Sequence, residues 1–186
     1  MEDQEIVELY WARSEQAIEE SEGKYGAFCR AIARNILSQE EDAEECVNDT
    51  WLRAWNTMPP QRPRLLSAFF GKITRNLSLD RWRHDRAAKR GGGRVETALE
   101  ELEHCLSAPG RPEERLEERE TAALISRFLR EQPVLDRVLF LRRYWYLDSI
   151  AGLAGRFQLS ESQVKSRLHR TRQRLKEALL REGVAV

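Results

Sequence analysis

Apolar residues recur every three or four positions along most of this chain, and strict alternation of apolar and polar residues is nearly absent. Such spacing is typical of amphipathic helices and predicts an all-α protein. We expect helices at about residues 4–20, 25–38, 40–57, 64–87, 113–131, 134–146, 148–157 and 161–182. Glycine or proline lies between several of these ranges, and we expect the first break at Gly23 and Gly26.

The stretch 88–112 differs from the rest because it mixes glycine, proline and glutamate with few apolar residues. This composition is typical of a flexible linker, although a short helix around residues 95–106 fits the spacing of its apolar positions. The sequence therefore predicts two small helical domains, residues 1–87 and 113–186, joined by that linker. We expect a helix-turn-helix in the C-terminal domain.

The charges balance overall, with 31 Lys and Arg against 31 Asp and Glu, but they are unevenly distributed. Residues 1–58 hold 14 acids and 5 bases, whereas residues 59–94 hold 10 bases and 2 acids. Residues 95–120 are acidic again, and residues 161–186 carry 7 bases and 3 acids. Basic segments of this size are typical of phosphate binding, so zero net charge does not exclude nucleic acid. We expect the acidic linker to shield the basic domains partly in the free protein.

Several classes of protein are not supported. No apolar run approaches the roughly 20 residues of a membrane span, and the N-terminus is acidic where a secretory signal would be basic. The scattered cysteines, Cys29, Cys46 and Cys105, favour a reducing cytoplasm, and the first two are expected to be buried. His104 and Cys105 lack metal-ligand spacing, and no side chains are grouped as a catalytic site. We therefore expect a cytoplasmic protein without membrane insertion, metal, cofactor or catalytic residues, and not an enzyme.

The most specific signal is a short amphipathic helix at 148–157, a tight turn at 158–160 and a long helix after it. Ser160 and Gln163 are spaced as a capping box for the long helix. Its apolar stripe, expected to be buried, is Val164, Leu168, Thr171, Leu175 and Leu179. Its opposite face and flanks supply the candidate DNA-binding residues Ser162, Lys165, Ser166, Arg167, His169, Arg170, Arg172 and Arg174. A recognition helix in the major groove has this layout, and a plain basic surface helix is the alternative.

The helix at 40–57 has two different faces. Its expected inward stripe is Ala43, Val47, Trp51 and Ala54. The other face is mostly acidic with one apolar residue, and it carries Asp42, Glu45, Asn48, Asp49 and Leu52. Such a face would repel DNA, so we expect it to bind a basic protein surface.

The helix at 64–87 has the opposite charge. We expect its core face to be Leu66, Phe69, Phe70, Ile73 and Leu77, and its outer face to be Lys72, Arg75, Leu79, Trp82, Arg83 and Arg86. Cations interleaved with an aromatic side chain suit single-stranded or melting DNA, because charge follows the backbone and a ring stacks on an unpaired base. Trp82 is compatible with such stacking or with packing on its own domain. The loop at 58–64, with Arg62 and Arg64, is placed to hold an extruded base.

Three segments occur in the order found in a known family: DAEECVNDTWLRAW at 42–55, FFGKITRNLSLDRWR at 69–83 and LSESQVKSRLHRTRQRL at 159–175. They resemble, respectively, the core-binding segment, the promoter-melting helix and the upstream-element reader of bacterial RNA polymerase sigma factors. The resemblance is to the small two-domain extracytoplasmic-function (ECF) group, and it covers nearly the whole chain.

The resemblance implies roles for individual residues. Contacts with the clamp helices of the polymerase β′ subunit are implied for Glu45, Asn48, Asp49 and Leu52. Engagement of the −10 element is implied for Arg75, Asn76 and Arg83 with the preceding loop, and reading of the −35 element for Lys165, Ser166, His169 and Arg170. The implied partners are core RNA polymerase (β′ clamp helices and β flap), promoter DNA and an anti-sigma factor. This chain departs from many members at Asn48-Asp49 (Gln-Glu in those members), at Phe69-Phe70 (Trp-Leu) and in its proline-rich 58–64 loop.

The leading hypothesis is therefore a sigma factor that directs promoter-specific transcription initiation. The alternative is a helix-turn-helix repressor or activator that binds duplex DNA without polymerase. An acidic docking face beside a basic, aromatic-bearing helix has no purpose in such a regulator. An enzyme with an appended DNA-binding domain is a third class, for which candidate catalytic groups are lacking.

Overall fold

The computed structural model describes residues 1–86, 94–103 and 115–184. Every regular element in these ranges is a helix, which confirms the predicted all-α class. The helices are α1 (Asp3–Trp11), α2 (Gln16–Ile36), α3 (Glu40–Thr57), α4 (Leu66–Arg86), α5 (Arg94–Glu103), α6 (Arg115–Glu131), α7 (Val134–Tyr144), α8 (Ile150–Phe157) and α9 (Glu161–Arg181). The chain divides into two compact units, Met1–Gly91 and Gly92–Val186. None of the described helices is long and apolar enough to cross a lipid bilayer.

The first predicted boundary is wrong. One helix was expected over residues 4–20 with a break at Gly23 and Gly26, but α1 already ends at Trp11 and α2 runs through both glycines. The chain turns instead at Arg13, which has a left-handed φ of 56°. A non-glycine residue in that conformation gives little sequence signal, because it is the surrounding packing that stabilises it.

Gly26 has a packing role within α2. It is buried, and a Cβ atom at this position would collide with the carboxylate of Glu22. That carboxylate accepts hydrogen bonds from Arg30 Nη1 at 2.5 Å and from the indole Nε1 of Trp51 at 2.8 Å. The glycine therefore makes room for a carboxylate that links α2 to α3.

The core of the N-terminal unit is centred on Phe70 of α4. Its ring centroid lies 5.1 Å from that of Trp51, 5.4 Å from that of Tyr25 and 6.4 Å from that of Tyr10. These separations fall in the range of favourable edge and tilted aromatic contacts. Four helices thus meet at one fully buried side chain.

The buried stripe of α4 is more polar than the sequence predicts. Thr74 and Ser78 are fully buried, whereas Ile73 and Leu77, expected in the core, are only half-buried. Leu79, expected on the outside, is buried. The hydrophobic pattern points to the wrong stripe because two hydroxyl residues occupy positions that face the interior.

Hydrogen bonds make this polar interior possible. The Oγ1 atoms of Thr50 on α3 and Thr74 on α4 are 3.0 Å apart and share a hydrogen bond. Each hydroxyl also lies within hydrogen-bond distance of a carbonyl of its own helix, Thr50 of Cys46 at 2.7 Å and Thr74 of Phe70 at 2.9 Å. Since each hydroxyl has one proton, one of them donates to the other hydroxyl while the second donates to its carbonyl. Both hydroxyls are therefore satisfied without water, as buried polar groups require.

Cys29 and Cys46 lie in the same interior and are buried, as predicted. Burial raises the pKa of the Cys29 thiol to about 11. Such a thiol stays protonated at neutral pH, and it therefore behaves as a small core residue.

The C-terminal unit packs α6, α7 and α8 against α9. The predicted inward stripe of α9 is confirmed, since Val164, Leu168, Thr171, Leu175 and Leu179 are all buried. The helix expected around residues 95–106 is present as α5, and its Val95 and Ala98 are buried. α5 contacts α7, so part of the predicted linker belongs to this unit. Residues 87–93 and 104–114, including His104 and Cys105, lie outside the described residues.

Candidate nucleic-acid interface

The acidic face of α3 is solvent-exposed as predicted. Asn48 and Asp49 are exposed, and 58% of the Leu52 side chain is accessible. The opposite stripe, Ala43, Val47, Trp51 and Ala54, is buried. α3 therefore offers an apolar side chain beside polar and acidic groups, which is the composition of a small protein-docking surface.

Arginines from neighbouring helices hold the acids around this surface. Arg81 of α4 donates to Asp42 and to Glu45, both at 2.6 Å. On the other side of α3, Arg34 of α2 forms an ion pair with Glu40. Within the described residues no hydrogen bond or ion pair engages the side chains of Asn48 and Asp49. These two residues and Leu52 remain available to a partner.

The outer face of α4 is basic. Lys72, Asn76 and Arg83 are exposed, and Arg75 is half-buried. Burial lowers the pKa of Arg75, and the nearby Arg83 lowers it further. Arg83 also forms an ion pair with Asp80 at 3.0 Å, so the positive charge of this face comes mainly from Lys72 and Arg75. That charge favours an anion such as phosphate.

The C-terminal end of the predicted α4 site differs from its centre. Trp82 is half-buried and makes contacts within the protein. Arg86 is the last residue of α4, and its side chain lies outside the described part of the chain. The role of Trp82 therefore stays a prediction with both alternatives open.

The two arginines of the loop between α3 and α4 lie in different environments. Arg62 points towards α1, where it forms an ion pair with Glu8 and lies over the ring of Trp11, 4.1 Å from the centroid. Arg64 is exposed, and no described residue forms a hydrogen bond or ion pair with its side chain. Leu65 beside it is 66% exposed.

The α2–α4 segment has a recognisable family signature. Residues 23–88 match the family model for Sigma-70 region 2. The match begins inside α2 and covers α3, the loop and α4. Over these residues the chain is similar to sigma-70 region 2. A comparison with curated proteins finds no match to this chain.

Region 2 gives the faces of the N-terminal unit a context. A sigma-70 family sigma factor binds core RNA polymerase and recognises the promoter −10 element through this domain, and it is not an enzyme. The exposed acidic face of α3 and the basic face of α4 both lie within the matched residues. α1 and the whole C-terminal unit lie outside region 2 as matched.

In the C-terminal unit, α8 and α9 are joined by a three-residue turn. Gln158 ends α8 in a left-handed conformation with φ 53°. Ser160 then caps α9, and the predicted capping box is present: its Oγ accepts from Gln163 N at 3.1 Å, and its backbone N–H donates to Gln163 Oε1 at 2.8 Å. Both bonds fix the direction in which α9 leaves the turn.

The predicted DNA-facing surface of α9 is exposed to solvent. Its members are Ser162, Lys165, Ser166, His169 and Arg170. They lie on the face opposite the buried stripe, and the charged or hydrogen-bonding groups among them suit base edges and phosphates.

The three flanking arginines of α9 are held by acceptors of their own unit. Arg167 and Arg174 donate to the two carboxylate oxygens of Asp136 on α7, at 2.7 and 2.9 Å. Burial alone would raise the pKa of Asp136, but hydrogen bonds from the two arginines outweigh it and hold the pKa below its usual value. These arginines thus form a cation–carboxylate–cation cluster that ties α9 to α7.

Arg172 is held in a second cluster. It donates to the hydroxyl of Tyr144 at 2.5 Å and lies 3.6 Å from Glu101 of α5. Glu101 also accepts from Arg143, a side chain with only 5% exposure, at 2.7 Å. α5 is thereby attached to both α7 and α9 by one carboxylate.

Sequence reasoning missed the residues that hold these surfaces: Glu8, Trp11, Arg81, Glu101 and Asp136. Each of them bonds a partner at least 31 positions away along the chain. Periodicity reports only which side of a helix is apolar. It carries no information about which charged side chains from different helices will meet.

Proposed function

We propose that this chain is a two-domain sigma factor of the ECF group. The N-terminal unit binds core RNA polymerase through α3 and engages the −10 element through α4 and the preceding loop. The C-terminal unit reads the −35 element through α9. The observation that carries the proposal is the pairing of an exposed acidic face on α3 with an exposed basic face on α4 within the region 2 match.

Docking on polymerase is supported by the centre of the α3 face. Asn48, Asp49 and Leu52 are exposed, while the surrounding acids Asp42 and Glu45 are held in place by Arg81. Held carboxylates lose less conformational entropy when a partner binds. A basic surface such as the β′ clamp helices is the expected complement.

Engagement of the −10 element is supported by the basic face of α4. Lys72, Arg75, Asn76 and Arg83 follow one another along the helix, and Arg64 lies just before its start. These cations, with the neutral amide of Asn76 among them, suit the backbone of an unpaired strand.

Reading of the −35 element is supported by the exposed face of α9. Lys165, Ser166, His169 and Arg170 project from the N-terminal half of a capped helix that follows a tight turn. That is the geometry with which a recognition helix enters the major groove. The exposed apolar residue Leu141 of α7 offers a contact to protein partners, for which the β flap and an anti-sigma factor are our candidates.

The test is run-off transcription with core polymerase and a library of promoter sequences. We expect initiation from a defined subset of promoters, and absence of both core binding and initiation would refute the proposal. Asp49→Lys should abolish core binding and leave duplex DNA binding by α9 intact. Glu19→Lys, which makes the same charge change at an exposed position of α2, is the matched control and should retain core binding. Sequence-specific duplex binding without any dependence on polymerase would favour the repressor or activator instead.

A second variant tests the C-terminal reader. Arg170→Ala should cost about 1–3 kcal/mol at one base-pair position of the −35 element. An equal loss on all sequences would make Arg170 a phosphate contact.

A further inference from the structure

The loop between α3 and α4 is fixed at both ends. Met58 before it and Leu66 after it are fully buried. Between these anchors, Arg62, Arg64 and Leu65 are exposed. The course of the exposed stretch therefore depends on contacts made in its middle.

Those contacts come from α1. The indole Nε1 of Trp11 donates to the carbonyl of Gln61 at 3.2 Å. The guanidinium of Arg62 lies over the same indole, 4.1 Å from its centroid, and forms an ion pair with Glu8. One aromatic side chain thus contacts both the backbone and a side chain of the loop, and a carboxylate one α-helical turn away completes the clamp.

α1 is itself firmly attached to the unit. Tyr10 is fully buried, and its hydroxyl is hydrogen-bonded to Ser21 of α2 at 3.0 Å. Just after α1, Arg13 donates to the carbonyl of Trp55 on α3 at 2.6 Å. The residues of the clamp are therefore held in a fixed position relative to α2 and α3.

The clamp binds one arginine of the loop and leaves the other exposed. Arg62 is occupied by Glu8 and Trp11, whereas Arg64 and Leu65 lie at the start of α4 with no described partner for the Arg64 side chain. A cation next to a 66% exposed apolar side chain suits a single strand, because one can meet a phosphate and the other the face of a base.

We propose that Trp11 and Glu8 are positioning residues for recognition of the unpaired −10 strand. They touch no DNA, and they act by holding Arg62 and Gln61 so that Arg64 and Leu65 face the strand. This inference rests on the proposed function of α4 and its loop. It assigns α1, which lies outside the region 2 match, a part in a region 2 activity.

The experiment is a double-mutant cycle on Trp11 and Arg64. The full chain with core polymerase is bound to a fork DNA whose −10 segment is single-stranded. We expect Trp11→Ala and Arg64→Ala each to weaken binding about 10-fold, since the first displaces Arg64 from the strand and the second removes the same contact, worth about a factor of ten. The double variant should be no more than about 2-fold weaker than either single variant, because a displaced loop no longer presents Arg64.

Additive losses, near 100-fold in the double variant, would show that Trp11 does not act through Arg64 and would overturn the proposal. Fork binding that fails in the unsubstituted chain would refute the proposed function as well. Core polymerase affinity should be unchanged in Trp11→Ala, and loss of it would point to general damage and count against a positioning role.

A second measurement needs no DNA. Trypsin should cleave the full chain after Arg64 faster in Trp11→Ala and in Glu8→Gln, because the released loop is a better substrate. Glu19→Gln, with the same change of charge at an exposed position of α2, is the control and should leave the rate unchanged. Equal cleavage in all four chains would mean that α1 does not hold the loop, and the proposal would fail.

Discussion

Asp136→Asn should have two opposite effects in the C-terminal unit. Asp136 accepts from Arg167 and Arg174 while its own carboxylate is only 9% exposed. Asparagine keeps the shape of the side chain but removes the charge that both guanidinium groups neutralise. The unit should become less stable, and the two freed arginines should become available to DNA phosphates.

The size of the first effect follows from the burial of the three groups. Removing one partner of a fully buried ion pair costs about 3–5 kcal/mol. Here the arginines are 34% and 43% exposed, so water compensates part of the loss. We expect about 2 kcal/mol, which for a unit of fewer than 100 residues corresponds to a fall in Tm of about 10 °C.

The pH dependence gives an independent check. Because the pKa of Asp136 is lower in the folded than in the unfolded protein, its contribution is present above the unfolded pKa, about 3.9. This contribution to stability is lost as the pH falls through the pKa of Asp136 in the folded protein. The difference in Tm between the parent chain and Asp136→Asn should therefore be constant from about pH 7 to pH 5, and it should shrink below about pH 4.

The measurements are thermal unfolding by circular dichroism and the salt dependence of duplex DNA binding. If both arginines reach phosphates, the slope of log K against log salt should steepen by up to about 1.8. Glu131→Gln, an exposed acid on α6 that makes the same charge change, should stay within about 0.5 kcal/mol of the parent. An unchanged Tm, or a Tm difference that persists unaltered at pH 3, would refute this account of Asp136.

Three further predictions concern single contacts. Thr50→Val and Thr74→Val should each lower the free energy of unfolding in urea by about 1 kcal/mol. The double variant should lose less than the sum of the two, because no hydroxyl is left without its partner. Strict additivity would contradict the shared hydrogen bond. Ser160→Ala should cost about 1 kcal/mol by removing the α9 cap, and a Tm equal to that of the parent chain would count against the capping box. Glu101→Gln should leave Arg143 without its carboxylate and cost about 2 kcal/mol. Hydrogen exchange of the α5 amides should then accelerate, and unchanged protection would mean that α5 is held by its apolar contacts alone.

The sequence predicts the faces of α3 and α9 correctly because their information is local. Val47 and Trp51 on α3, and Leu168 and Leu175 on α9, repeat at helical spacing with polar residues opposite them. The capping box at Ser160 is equally local, since it needs only two residues three positions apart.

The failures arise where tertiary structure overrides the local pattern. Thr74 looks like a surface residue in the sequence, but its hydrogen bonds within the interior make its burial acceptable. Gly26 looks like a helix breaker, but it lies inside α2, where a Cβ atom would collide with the carboxylate of Glu22. The sequence also gives no sign that Arg62 contacts Glu8 and Trp11 of α1, and its role at DNA stays a prediction.

The shared hydrogen bond between Thr50 and Thr74 also determines how α3 and α4 respond to force. Sliding α4 along α3 by one turn, about 5.4 Å, would place Phe70 or Ser78 opposite Thr50. Packed side chains and a directional bond of this kind allow one arrangement and resist intermediate ones. A partner that pushes on the outer face of α3 therefore moves α4 as a rigid body. In the proposed complex, binding of α3 to polymerase therefore also determines the orientation of the DNA-binding helix α4.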